Sequence, residues 1–166
     1  LDELEETIDN FFEIKAKSRT DKIPISNRNV SILESQSPSG LTIQIGRNHI
    51  QNELISIKKA RKGDIWFHAQ GCTGSHIVLK ASNGICNDSD LSLAADLAAF
   101  FSKARNNKKV PIIMTSTSNL KKLKGAMPGT LNHRNGKIIW GEPLNGKIHF
   151  EKSTVSAQNA LSSFAR

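Results

Sequence analysis

Residues 61–80 read "RKGDIWFHAQGCTGSHIVLK", and whether they form helix or strand decides the fold. His68, Cys72 and His76 stand four apart, a spacing that would align three possible zinc ligands on one helical face. The local composition overrules that spacing. Ile65, Trp66 and Phe67, like Ile77, Val78 and Leu79, favour strands, and Gly71 and Gly74 break any helix between them. "DIWFHA" and "SHIVLKA" are therefore expected as two strands joined by the glycine-rich "QGCTG". On a strand, Asp64, Trp66 and His68 share one face. A hydrolytic set would take Asp64 and His68 as the base pair and Ser75 or Cys72 as nucleophile. No nucleophile elbow accompanies them, and any strand places alternate residues together. The simpler reading has Asp64 and His68 bonding loop backbone while Trp66 packs.

Toward the N-terminus, "VSILES" and "LTIQIG" flank "QSPSG", which predicts a hairpin. "HIQNELISIKKA" reads as a short helix. Toward the C-terminus, residues 90–105 carry an apolar face of Ala94, Leu97, Ala98, Phe101 and Ala104. Ser89 or Asp88 is the expected cap of that helix, and Lys103 and Arg105 suit its negative end. "VPIIMTST" reads as a buried strand, "NLKKLKGAMPGT" as a basic loop, and "KIIWGEP" as a last strand stopped by Pro143. Residues 151–166 are expected to be a polar, frayed tail. Strands outnumber helices, so the fold class is α+β: a mixed or antiparallel sheet with one main covering helix.

The first 14 residues differ in character. Leu1, Leu4, Ile8 and Phe11 hold heptad positions, as at the end of a coiled-coil helix, and residues 15–29 read as a linker. The compact domain is expected over 30–150. The chain opens on Leu1 without a methionine, which reads as a fragment of something longer. No stretch has the apolar length of a membrane span. Cys72 and Cys86 form no CxxC pair, which argues against a zinc finger or a disulfide framework and for a reducing, intracellular compartment.

The formal net charge is +8. Six acids precede the first basic residue, Lys15, and removing them leaves +14 on the rest of the chain. Such a body favours polyanions.

At this point the residues resemble a known family. Gly46, Arg47, Asn48, Gln51 and Asn52, then Ala60, Asp64, Ile65, Trp66, Phe67 and His68, then Gly74, Ser75 and His76 are similar to the signature of the NFACT-R domain. That domain belongs to the ribosome-quality-control NFACT proteins, the RqcH, NEMF and FbpA-like group. The resemblance covers roughly residues 30–143. It departs at Thr73, where the family commonly has proline, at Met127, where a lysine often precedes Pro-Gly, and at Cys72, a usually apolar position.

The resemblance implies a soluble, ribosome-associated module, cytoplasmic or in the plastid stroma. Its implied partners are structured RNA (tRNA, large-subunit rRNA or both), the large ribosomal subunit, and the NFACT-N and coiled-coil parts of a parent chain, with no membrane. Its implied role is in template-free tailing of stalled nascent chains through tRNA recruitment. No catalytic residue, metal or cofactor is expected. For RNA, three basic clusters are the expected phosphate contacts: Arg47 with Lys58, Lys59, Arg61 and Lys62; Lys103, Arg105, Lys108 and Lys109; and Lys121, Lys122 and Lys124. Asn48, Gln51 and Asn52 are expected to meet sugar or base edges. The amides of "GCTGS", including Ser75, read as an anion nest with His68 and His76 at its rim, protonated when phosphate is near. The competing readings are a metal- or cysteine-dependent hydrolase using His68, Cys72 and His76, and an intramolecular protein-docking module.

Overall fold

The structure, a computed structural model, describes residues 31–164, with side chains described as far as Ser153. The expected coiled-coil end and linker lie outside the described residues. In chain order the elements are β1 (Leu33–Gln36), β2 (Thr42–Ile45), α1 (His49–Glu53) running into a π-helical turn (Leu54–Lys58), β3 (Ile65–Ala69) and β4 (Ile77–Leu79). They continue with α2 (Asp88–Phe100), β5 (Val110–Ser116), β6 (Leu120–Lys122), β7 (Leu131–His133), β8 (Lys137–Gly141) and α3 (Pro143–Phe164). Six strands form one sheet in the order β1-β2-β4-β3-β5-β8, and every neighbouring pair is antiparallel. β6 and β7 pair separately as a two-stranded ribbon. The architecture is α+β, as the sequence predicts.

The β1–β2 hairpin follows from its turn chemistry. The Ser37 amide donates to the Leu41 carbonyl at 2.8 Å, and Gly40 supplies the left-handed backbone, φ +85°, that closes the turn. Strand alternation then sorts the sheet into two faces. Ile43, Ile45, Phe67, Ile77, Leu79 and Ile112 are fully buried. α2, whose Ala94, Ala95, Leu97, Ala98 and Ala99 are also fully buried, packs on β3, β4, β5 and β8. Each large side chain so buried contributes roughly 1.5–3 kcal/mol. The small residues of α2 let its backbone come close to its neighbours. A Cβ added to Gly141 or Gly146 would collide with the carbonyl oxygen of Ala95 or Asp96, so β8 and α3 can approach α2 only through glycine.

Three expectations shift. α2 begins earlier, at Asp88, behind Asn87 as N-cap, and the Asp90 carboxylate accepts from the Asn87 amide at 2.7 Å and the Ser39 amide at 2.9 Å. It ends earlier too, because Ser102 bridges Gly74 and the Lys103 amide donates to the Thr73 carbonyl, which draws the chain out of the helix. The segment read as a basic loop contains β6 and β7. Residues 143–164 form α3, so the expected boundary at residue 150 falls inside a helix, and Pro143, just past the end of β8 at Gly141, also starts that helix. No helix among the described residues is long and apolar enough to cross a membrane.

Candidate nucleic-acid interface

The sheet face away from α2 is built around Trp66. Its indole, 4% exposed, packs with Ile55 of the π turn and Val78 of β4, with Ile32, Ile113 and Leu120 closing over them. His68, two residues along β3, stacks on the Trp66 ring at 5.6 Å, and the His76 and His133 rings approach it at 5.3 and 5.8 Å. Asp64, two residues back, is fully buried. It accepts from the Arg61 and Ser82 amides at 2.8 and 3.1 Å and pairs with the Lys80 ammonium. Burial alone would raise its pKa, but Lys80, the Ser82 hydroxyl and the two amides outweigh that and hold it below the ordinary carboxylate value. Asp64 thus fixes the turns on either side of β3 and β4, and Trp66 packs, as the simpler reading has it.

Three residues of the expected phosphate nest are engaged inside the fold. Ser75 is buried and its amide already donates to the Phe101 carbonyl at 3.0 Å. His76 is 6% exposed, its Nδ1 lies 3.1 Å from the Ser56 hydroxyl, and its amide donates to Asn52 Oδ1 at 3.3 Å. Burial, then the neighbouring His68 and His49, push the His76 pKa down to about 3. Burial likewise lowers that of His68, against the pull of backbone bonds to Gly74 and Ala69. With no anion beside them, both imidazoles are therefore neutral near pH 7.

The amide side chains serve the fold as well. Asn48 caps α1, accepting from the Gln51 amide at 2.8 Å, and Gln51, 7% exposed, accepts in turn from the Arg47 amide at 2.9 Å. Gly46 leaves the space that Asn52 Oδ1 fills. Arg47 is half-buried with its guanidinium 5.8 Å from the Phe101 ring centroid. Of these residues only Asn48 stays exposed. The signature from Gly46 to Asn52 therefore builds the support for His76, and Gln51 in particular is too buried to meet a base edge.

The lysines and arginines stand differently. Residues 31–153 hold 17 Lys and Arg against 8 Asp and Glu. Asp64 and Asp90 are fully buried and Glu53 nearly so, each with partners inside the fold. Arg61, Lys62, Lys121 and Lys124 are exposed, and no acidic partner holds them among the described residues. Lys121, Lys122 and Lys124 lie on and just beyond β6. Arg134 follows β7, where its amide donates to the Asn119 carbonyl at 3.1 Å. The exception is Lys122, paired with Glu53 at 2.5 Å. Arg134 and Lys137, both exposed, join this basic ribbon and were absent from the sequence-based set. The signal for them was the Asn135-Gly136 turn, with Asn135 at φ 54°, flanked by a base on each side.

His68 lies in β3 and His76 just before β4, with Cys72 in the loop between, so the helical spacing that suggested zinc is not realised. Among the described residues no group of three His, Cys, Asp or Glu could hold a metal ion.

Residues 31–135 match the family model described as NFACT protein RNA binding domain. The chain belongs to that family. It is 36% identical over 113 residues to Rqc2 homolog RqcH of Bacillus subtilis (strain 168), covering 68% of this chain and 20% of that protein. It is 39% identical over 106 residues to Rqc2 homolog RqcH of Streptococcus suis (strain 05ZYH33), covering 64% and 19%. Among solved structures, the C-terminal part of the fibronectin/fibrinogen-binding protein from Streptococcus suis is similar with a TM-score of 0.66 and 33% identity, over 75% of this chain and 49% of that one. The chain thus spans about a fifth of the length of the curated relatives. The NFACT RNA-binding domain match takes in the Trp66 face, the π turn and the β6–β7 ribbon together, and it ends before α3.

Proposed function

We propose that this chain is the RNA- and ribosome-binding module of a ribosome-quality-control factor, working on obstructed large ribosomal subunits and supporting tRNA recruitment for template-free tailing. The module binds and performs no chemistry of its own. The observation that carries the reading is the separation of charge: buried acids are neutralised inside the fold, while exposed bases on the β6–β7 ribbon and after the π turn are left for an external polyanion. The family description and the names of the relatives support the same reading. Phosphate contacts of this kind make affinity fall linearly in log–log form with salt. The test is fluorescence anisotropy of the 166-residue chain on a tRNA and on an rRNA hairpin across a salt series. Changing Lys121, Lys124 and Arg134 to alanine should flatten the salt slope by about one unit per residue. An unchanged slope in a folded variant would remove the ribbon from the interface.

A second reading is favoured by Ile138 and Trp140, 47% and 60% exposed on the edge strand β8. They suit docking of another part of a parent chain. On that reading the chain ignores RNA and binds the N-terminal region supplied in trans.

A further inference from the structure

A cavity of about 560 Å³ opens beside the π turn, lined by Gln44, Lys58, Lys59, Arg61, Lys80 and Asn83. Its mouth is cationic. Lys58, Lys59 and Arg61 are exposed and held by no acidic partner among the described residues. Lys80, buried, forms an inner wall. Its ammonium donates to Asp64 and to the Lys59 carbonyl at 3.2 Å, and an ammonium has three donors, so one remains. Behind that wall Asp64 is already neutralised by Lys80, and Glu34, exposed on β1, stands opposite Gln44 in the register.

The second observation is Gln44 itself. Its side-chain oxygen is sealed from solvent and has no hydrogen-bond partner. Buried acceptors are normally satisfied, so an orphan one calls for a group bearing O–H or N–H. The cations call for an anion. One unit of an RNA chain brings both, a phosphodiester and a ribose 2′-hydroxyl. The volume also falls in the range of small-ligand sites, well beyond what a bare oxyanion fills.

We propose that this cavity seats one ribonucleotide of the bound RNA, with its phosphate against Lys58, Lys59 and Arg61 and its sugar hydroxyl bonded to the Gln44 amide, whose side chain turns outward to meet it. This rests on the RNA-binding reading and deepens it. The cavity lies at the C-terminal end of the α1–π segment, and Glu53 at its middle pairs with Lys122 of the ribbon, so one continuous element touches both.

The test follows the Gln44 and Asn83 side-chain amides by NMR in the 166-residue chain. The titrants are an RNA hairpin, the DNA hairpin of the same sequence, and inorganic phosphate at matched ionic strength. RNA should shift the Gln44 amide saturably, DNA should shift it less, and inorganic phosphate should leave it in place. Lys59→Ala with Arg61→Ala, both at exposed positions, should abolish the shift and weaken RNA binding about tenfold at moderate salt. Gln44→Leu should leave the phosphate contacts and narrow the preference for RNA over DNA. RNA binding with an unmoved Gln44 amide overturns the cavity while the RNA-binding reading stands. A shift reproduced by inorganic phosphate alone also overturns it, because the site is then a free-phosphate site. If no RNA binds the intact chain, the RNA-binding reading falls and the cavity proposal with it.

Discussion

His68 of β3 and His76, the residue before β4, face each other with their ring centroids 5.2 Å apart and their planes nearly perpendicular. The Trp66 indole lies against both, and burial is the first cause of their lowered pKa values. Protonating either ring would place a charge in this packed face, next to the other imidazole.

Acid should therefore begin to loosen the domain below pH 6.5. His76 binds a proton in the unfolded chain near pH 6.5 but in the folded one only near pH 3. Stability is then fully present above pH 6.5 and is lost as pH falls below it, at about 1.4 kcal/mol per pH unit for one such histidine. Urea denaturation at pH 7, 6 and 5 should show this loss, and His76→Gln should remove most of the slope at some expense in stability at pH 7.

Asp96 should act in the opposite direction. Burial raises its pKa to about 6, the Glu142 charge adds to that, and the bond from the Glu142 amide at 2.8 Å only partly offsets it. A carboxyl that prefers its proton in the folded state stabilises at low pH and loses that contribution as pH rises from 4 through 6. Asp96→Asn keeps an acceptor for the Glu142 amide and should raise stability by about 1 kcal/mol at pH 7.5, discounted for partial exposure, with no gain at pH 4. Thermal melts at the two pH values read both numbers.

Lys122 should separate from its neighbours. It pairs with Glu53, whose side chain is only 8% exposed, so Lys122→Ala strands a buried carboxylate and should cost about 1–2 kcal/mol of stability. Lys121→Ala and Lys124→Ala leave no such group behind and should be near neutral for folding. Chemical denaturation of the three single variants is the measurement.

Gly146 should tolerate no side chain. It lies within α3, where alanine is normally the better helix former by roughly 1 kcal/mol, yet its Cβ would strike the Asp96 carbonyl. Gly146→Ala should therefore destabilise, by about 2 kcal/mol or more, instead of stabilising. A higher melting temperature for this variant would mean that α2 and α3 do not pack as described.

Much of the sheet was readable in advance, since the Pro38-Ser39-Gly40 turn and the apolar runs of β3, β4 and β5 state their own geometry. The misses have physical causes. β6 and β7 are three residues each, too short for alternation to register, and Lys121-Lys122 reads as loop. α3 was hidden because Pro143 and Gly146 look like breakers. Pro143 sits at the helix start, where its missing N–H costs nothing, and Gly146 is there for a backbone it must touch. The site was half legible. Basic residues are visible as letters, but whether Gln51, Ser75 or His76 faces solvent depends on contacts such as Ser75 to Phe101, which only the fold brings together.

Near the edge of the sheet, the His149 imidazole meets the Ser35 hydroxyl at 3.0 Å, joining β1 to the helix that comes 114 residues later. β5 likewise waits for β8 across the whole β6–β7 excursion. Chains whose contacts are this distant in sequence fold slowly, and during synthesis they fold as whole units. While a ribosome makes this protein, β1 leaves the exit tunnel before the rest of the sheet and cannot complete its contacts until α3 has followed. For that interval the strand edges of an unfinished sheet lie open, so a stall within residues 110–149 would leave a nascent chain prone to aggregate.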